Sequence, residues 1–409
     1  MEILPIIYLA YMFVSIYMLS FFLLIYFSNR KTIFSYPKAD KNYSISFLVP
    51  AYNEEKTLAD TIKHIFETGY ENIKEVIIIN DTSKDNTLEI AKKLAKKYSK
   101  IKILNNLKNL GKAGSLNRAL KIAKGELVAV VDADSYPAKD SIKKMIGFFS
   151  DSKVGAVTCP VVVRNPKSFF ARLQAIEYKV IAFSRKLLDY VDAIYVTPGP
   201  LAIYRKKALE GIGGFDANNL TEDIEATWHL TYAGWERRMC LDTMVSTTAP
   251  KKLKSWFIQR RRWNLGGLQC LYKYRKYLGK KGMLGWFIMP FFILNTFLGL
   301  VGLGIFSYLF GSRIISKFLL TKYSLLVGTP IVTFEGFYLT PSVLNYLGIV
   351  LFICGLIYTL VILSILKEKI LTKENILNIP FYMTIYLMVY PFIMINAIWH
   401  AIKGKRQWR

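Results

Sequence analysis

Residues 44–134 read SISFLVPAYNEEKTLADTIKHIFETGYENIKEVIIINDTSKDNTLEIAKKLAKKYSKIKILNNLKNLGKAGSLNRALKIAKGELVAVVDAD. Short β-branched runs (SISFLVP, EVIIIND, KIKILNN, ELVAVVDAD) alternate with runs of helical period (NEEKTLADTIKHIFETGY, KDNTLEIAKKLAKKYSK, GKAGSLNRALKIAKG). Strands at helix-length spacing predict βαβ units in an α/β fold with a mainly parallel sheet. Such sheets bind ligands at the carboxyl ends of their strands. The residues that follow the runs are Asn53 and Glu54, Asp81, Lys112 in a Gly-containing loop, and Asp132 with Asp134. Residues 154–250 continue with VGAVTCPVVV, a helix expected over 168–190, and TPGPLAIYRKKAL, as a second half of the same domain.

Outward from this block the composition changes. Residues 3–29, 282–312, 336–366 and 375–402 carry no Asp, Glu, Lys or Arg, and each exceeds the ~20 residues that span a bilayer. The chain therefore reads as a multi-pass membrane protein, with 53% hydrophobic residues, which excludes disorder and collagen-like repeats. The first stretch lacks a basic n-region and is followed by Asn29, Arg30 and Lys31, so it is expected to stay as an anchor with the next domain in the cytoplasm. The run 323–334 is expected to be interfacial or re-entrant. Four spans leave the basic tail KGKRQWR on the side that positive charge disfavours, whereas a fifth would bring it inside.

Residues 28–283 hold 45 Lys and Arg against 25 Asp and Glu, a net of +20. Lysine-rich solvated helix faces, acidic headgroups, a polyphosphorylated substrate and nucleic acid all fit that charge. The cations concentrate beside the spans and no recognition module is present, so nucleic acid is not expected. Cys159, Cys240, Cys270 and Cys354 show no CxxC spacing and only three histidines exist, which argues against a zinc site or disulfide framework.

Asp132 and Asp134 are spaced to hold one hard cation, Mg²⁺ or Mn²⁺, against a diphosphate; a DxD in a loop is also commonly solvated or capping. Asp81 suits either a base ring N–H or a turn, while the 51–54 turn, from Ala51 to Glu54, packs on a nucleoside. Asp85 is read as a helix cap. Lys112 between Gly111 and Gly114 opens a helix where free N–H groups and a cation meet phosphate, though GxxxxGK[ST] is absent. In TEDIEATWHL, Thr221 reads as an N-cap ahead of Glu222 and Asp223, and Asp223 also suits a general base. Residues 251–283, basic and aromatic, suit a helix in the headgroup region. Within them QRRRW offers either lipid anchoring or an arginine fork for diphosphate beside a flat indole.

Taken together, PAYNEE, NDTSKDNT, GKAGSLN, DAD, TED and QRRRW resemble the processive branch of family 2 glycosyltransferases, the cellulose, chitin, hyaluronan and poly-N-acetylglucosamine synthases, over about residues 44–267. The last group is nearest in length and in TEDIEATW and QRRRWNLGG. The resemblance implies a GT-A fold, an inverting single displacement with a UDP-sugar donor, UDP-N-acetylglucosamine above all, and a growing polysaccharide acceptor exported through the enzyme's own helices. It implies Asp81 at the uracil, Asp132 and Asp134 at the metal, Asp223 as base, Gln259 and Arg262 at the nucleotide-sugar, and Trp263 with Gly199 and Glu222 on the acceptor side. Asn80 stands where relatives often carry an aspartate, and TED where hyaluronan and chitin synthases tend to have GDD or GED. The expected division is an anchor at 1–29, a cytosolic catalytic domain at 30–250, an interfacial region at 251–283 and about three spans at 284–409. Membrane lipids are expected partners, and an accessory membrane subunit is compatible with this plan. Transfer of one sugar to a membrane lipid or polyprenyl phosphate is the alternative reading.

Overall fold

The computed structural model describes residues 3–328, 343–366 and 372–404. An N-terminal helix α1 (Ile3–Asn29) leads into β1 (Ile45–Ala51), α2 (Leu58–Glu67), β2 (Ile73–Asn80), α3 (Thr87–Lys97), β3 (Ile101–Asn105), α4 (Gly111–Ile122) and β4 (Leu127–Val130). These are the predicted βαβ units. Strands β1 and β2 pair in parallel with Val49 opposite Ile78, and β1 pairs in parallel with β4. Both faces of β1 are covered, which its continuous apolar run requires. Ile45, Phe47 and Val49 pack with Leu58, Ile62 and Ile65 of α2, while Leu48 turns to Leu116, Ala119 and Leu120 of α4. Alternation along the strand thus feeds two cores. In α2, Leu58, Thr61, Ile62 and Ile65 are buried, one face at helical spacing, and each apolar member contributes about 1.5–3 kcal/mol.

The second half supplies β5 (Ser135–Pro137), α5 (Ser141–Met145), β6 (Val154–Thr158), β7 (Val161–Val163), α6 (Phe169–Asp189), β8 (Ala202–Arg205), α7 (Lys206–Gly211), α8 (Glu222–Tyr232), β9 (Glu236–Met239) and β10 (Val245–Thr247). The main sheet runs β3-β2-β1-β4-β8-β6-β9 and a small one runs β5-β10-β7. Strand β8 is antiparallel to both β4 and β6, so the sheet is mixed. α6 begins where expected, with Ser168 capping the Ala171 N–H at 3.2 Å. Thr221 occupies the N-cap of α8, but its side chain makes no cap bond there and donates to Asn219 instead. Asp85 caps α3 through the Thr87 N–H at 3.0 Å, as read.

Then follow α9 (Leu253–Tyr274), α10 (Met289–Val327), α11 (Val343–Ile365), α12 (Lys373–Phe381) and α13 (Tyr390–Ile402). Among the described residues, four helical stretches are long and apolar enough to cross a membrane: Pro5–Asn29, Leu284–Val327, Gly348–Ile365 and Asn375–Ile402. The second corrects the expected end at Ser312. Its 44 residues reach roughly 66 Å at 1.5 Å per residue, about twice a ~30 Å hydrocarbon core. Arg313, Lys317 and Lys322 end the charge-free run but are good helix formers, so the helix continues. The expected separate segment at 323–334 is, over 323–327, the end of that helix; the remainder beyond 328 and the tail beyond 404 lie outside the described residues.

Helix α6 joins the two parts of the molecule. Ala182, Phe183 and Leu187 pack with Ile25 of α1 and Ile362 of α11, and Leu173 and Ile176 pack with Trp256 and Ile393. Helix α9 packs into the molecule along one side, where Trp256, Arg260, Leu265, Gly266, Cys270 and Tyr274 are buried.

Candidate active site

The carboxyl ends of β1, β2 and β4 converge. The loops after β1 and β2 are laced together: the Asn53 N–H donates to Ser83 Oγ at 3.0 Å, Glu54 N–H to Thr87 Oγ1 at 2.7 Å, and Lys84 N–H to Asn53 Oδ1 at 2.8 Å. Asn53 has φ 58°, a left-handed conformation asparagine tolerates better than most residues. Ala51 closes the strand, accepting from the Asp81 N–H at 2.9 Å.

Asp81, 4% exposed, accepts three hydrogen bonds through its carboxylate. Oδ1 accepts from Asn106 Nδ2 at 2.7 Å and Leu110 N–H at 2.9 Å, and Oδ2 accepts from Gly111 N–H at 2.9 Å. The carboxylate therefore holds the start of α4, where Gly111 has φ +71°. Two orphan amides at the helix start thus bond to its oxygens.

Helix α4 thereby aims Lys112 into the cleft. Its Nζ lies 2.6 Å from Asp132 Oδ1 and 2.8 Å from Glu222 Oε1. Burial alone would lower this ammonium's pKa, but the charges of Asp132, Glu222 and Asp223 outweigh it and raise it, so Lys112 stays charged. Gly199 fits against that pair: a Cβ there would run into Lys112 Nζ and meet both Asp132 carboxylate oxygens. The Gly199 N–H donates to Asp223 Oδ2 at 3.3 Å. One loop thus brings the DAD turn, Lys112 and the start of α8 into a single cleft.

Asp223 is half-buried at the first turn of α8, accepting the Ile224 N–H at 2.9 Å through Oδ1. Burial, and then the neighbouring Glu222 charge, push its pKa up to about 6, against the pull of Lys112 and Arg262. Glu222 is held below the usual range; burial would raise it, but Lys112 and then Arg262 prevail. Asp134 also rises to about 6, through burial and the charges of Asp132 and Glu54. Glu54 is raised by burial and, among charges, by Asp132. Among the described residues no group of three or more His, Cys, Asp or Glu side chains is placed to hold a metal ion. Asp132 and Asp134 nonetheless fit a cation whose other ligands come from a substrate: the negative charge crowded on Asp134 is what a divalent ion relieves.

Two groups of QRRRW have partners within the fold. Gln259 Oε1 accepts from Arg260 Nη1 at 2.6 Å, and Arg260 Cζ sits 4.1 Å over the Trp263 ring, so one indole face is already covered. Trp263 also packs on Val163, Tyr178 and Ala249. Arg262 faces Glu222 and Asp223 electrostatically. Unforeseen was Arg260 itself, 1% exposed. It donates to Glu177 through Nε (3.1 Å) and Nη2 (2.5 Å), with Tyr386 Oη donating to Glu177 at 2.7 Å and Arg260 Nε also reaching Tyr390 Oη at 3.0 Å. The one signal in the sequence was a glutamate amid the apolar residues of α6. A second unforeseen lock joins α8 to α9: Lys273 Nζ (2.6 Å) and Tyr274 Oη (2.8 Å) both donate to Glu225, and Gly266 leaves room for Thr221, which any Cβ would strike.

Residues 46–213 match the family described as Glycosyl transferase family 2. The chain carries a glycosyl transferase family 2 domain. It is 33% identical over 265 residues to poly-beta-1,6-N-acetyl-D-glucosamine synthase of Staphylococcus aureus (strain COL), covering 63% of this chain and 64% of that protein; the match therefore spans a little under two thirds of that relative's length. To the Staphylococcus epidermidis protein of the same name it is 29% identical over 368 residues, covering 88% of this chain and 84% of the relative. The fold is also that of the mannosyltransferase PcManGT from Pyrobaculum calidifontis, solved in complex with GDP-Man and Mn2+, with a TM-score of 0.62 at 18% identity, covering 98% of this chain and 99% of that one. The architecture is GT-A-like, as the resemblance implied.

Proposed function

We propose that this protein is a membrane-embedded inverting β-glycosyltransferase that polymerises a UDP-sugar, UDP-N-acetylglucosamine above all, and passes the chain outward between its own helices. The observation that carries the reading is the single cleft in which Gly199 touches the Lys112–Asp132 pair on one side and Asp223 on the other. Phosphate-binding and proton-accepting groups then face one reacting centre.

In this reading the catalytic domain (30–250) is cytoplasmic behind its anchor (1–29), with the 251–283 region at the interface and the remaining spans in 284–409. Ala51, Asn53, Glu54 and Asp81 shape the nucleoside end, Asp81 through the helix start it holds as much as by direct contact. Asp132 and Asp134 would hold a Mg²⁺ or Mn²⁺ ion, which when bound neutralises the departing diphosphate. Lys112 and Arg262 add fixed positive charge at the same leaving group, with Gln259 steadying that helix through Arg260. An acceptor hydroxyl, deprotonated by Asp223, attacks the sugar C1 as the C1–O bond to diphosphate breaks. UDP leaves and the anomeric centre inverts. Trp263, half-buried, takes the acceptor sugar against its indole, and Glu222 and Gly199 line the same side.

The long match to poly-β-1,6-N-acetylglucosamine synthases, together with Gln259–Trp263, supports polymerisation over single transfer to a lipid. The test is turnover of a panel of labelled UDP-sugars by purified protein with Mn²⁺, the products digested with linkage-specific glycosidases. Turnover of UDP-N-acetylglucosamine into β-linked, glycosidase-sensitive product is expected; label confined to lipid would overturn the reading.

Two variants probe the assignment. Gly199→Ala is expected to push Lys112 away from Asp132 and cut kcat/KM roughly tenfold or more, since forcing a methyl group into such contact costs about 1–3 kcal/mol; unchanged kinetics would detach Gly199 from the site. Trp263→Ala is expected to raise the acceptor KM about threefold to tenfold, the scale of one aromatic contact, while UDP affinity measured by calorimetry stays the same. Collapse of UDP binding would show that Trp263 serves the donor side.

A further inference from the structure

Among the buried cations of the catalytic body, Arg185 stands apart. Arg260 is answered by Glu177, Lys186 by Asp189 and the Met239 carbonyl, and Lys112 by Asp132 and Glu222. Arg185 on α6 is 7% exposed, its Nε is enclosed without a hydrogen-bond partner, and among the described residues no carboxylate forms an ion pair with it. A guanidinium stays charged in a protein, so burying it without partners is costly. Such a cost is characteristic of a group held ready for a ligand.

Its surroundings say which ligand. The groups whose charges act on Arg185 are Tyr195, Asp223 and Cys159, so it lies within electrostatic range of the proposed base. Seven residues earlier on α6 lies Tyr178, two helical turns away on the same face and about 10 Å along the axis, and Tyr178 packs against Trp263. The stretch of α6 from Tyr178 to Arg185 therefore runs from the indole to the neighbourhood of Asp223. A second anion there would be repelled by Asp223 and Glu222. A neutral hydroxylated ligand suits both charges, because its oxygens accept from the guanidinium fork while its hydroxyls donate to a carboxylate.

We propose that Arg185 is a binding residue for the acceptor glycan, donating to hydroxyl or acetamido carbonyl oxygens of a sugar unit beside the one that reacts. The inference rests on the reading of the Trp263–Asp223 side as the acceptor side. It also accounts for a buried Nε left without a hydrogen-bond partner.

The test uses the full chain purified in detergent, with Arg185→Met and Arg185→Lys, and follows three quantities: thermal stability, UDP affinity, and affinity for a β-1,6-linked N-acetylglucosamine pentasaccharide. Arg185→Met is expected to leave UDP affinity unchanged, weaken pentasaccharide binding about tenfold to a hundredfold, the scale of charge-assisted hydrogen bonds, and leave the melting temperature equal or higher, since an unpaired buried charge is removed. Arg185→Lys, which keeps the charge and loses the fork, is expected to fall between. Unchanged pentasaccharide affinity in both variants would overturn the inference alone. Loss of melting temperature together with loss of UDP binding would make Arg185 a structural residue. No pentasaccharide binding by the unaltered protein would remove the acceptor reading itself, and the inference with it.

Discussion

An Asp223→Asn protein is expected to bind UDP with unaltered affinity and to transfer sugar about 10²- to 10⁴-fold more slowly, the usual share of a general base. Asparagine has the same shape, and its oxygen can still accept the Ile224 N–H that fixes the side chain. Only the proton-accepting charge is removed. The unaltered protein should lose activity as pH falls through about 6, because burial and Glu222 raise the Asp223 pKa to that value and the protonated form cannot act as base. The sign for stability is opposite. A carboxyl raised in the fold stabilises below its unfolded pKa and loses that contribution as pH rises through about 6, so Asp223→Asn should melt no lower than the unaltered protein at pH 7.5. Activity above a tenth of the original would remove Asp223 as the base.

Arg260→Met is expected to be among the most destabilising single changes in the chain, by about 3–5 kcal/mol, because it leaves Glu177 ionised and buried. Tyr386 Oη alone cannot replace the bidentate pair. The double variant Glu177→Leu/Arg260→Met should recover much of the loss, since the isolated charge is then gone. Thermal inactivation half-lives in detergent measure both. The pair joins α6 and α9 and, through Tyr386 and Tyr390, reaches the last apolar stretch. A single variant as stable as the parent would show that this network does not hold Trp263 in place against the spans.

Which of these features the sequence disclosed follows from their range. Strands β1, β2 and β4 and helices α2 to α4 were legible because each is a run of one period, and Asn53, Asp81 and Asp132, which follow the strands, are among the residues gathered in the cleft. Antiparallel β8 was not legible: AIYR has no signature beyond four residues, and its place is set by pairing with β4 and β6. Helix α10 outran its charge-free stretch because charge interrupts hydropathy and not the helix. The Arg260–Glu177 pair spans 83 residues of sequence, and no local pattern encodes such a distance. Asp81 was found as a residue but not in its bonding, since only the fold shows that amides of α4 occupy its oxygens.

The central claim is that the cleft builds a polymer. The most direct measurement incubates purified protein with Mn²⁺ and a limiting pulse of labelled UDP-N-acetylglucosamine, chases with excess unlabelled donor, and sizes the products. Label carried into chains that lengthen during the chase, without short released intermediates, is the predicted result. Label that stays at one sugar per acceptor, extracted with lipid, would contradict it.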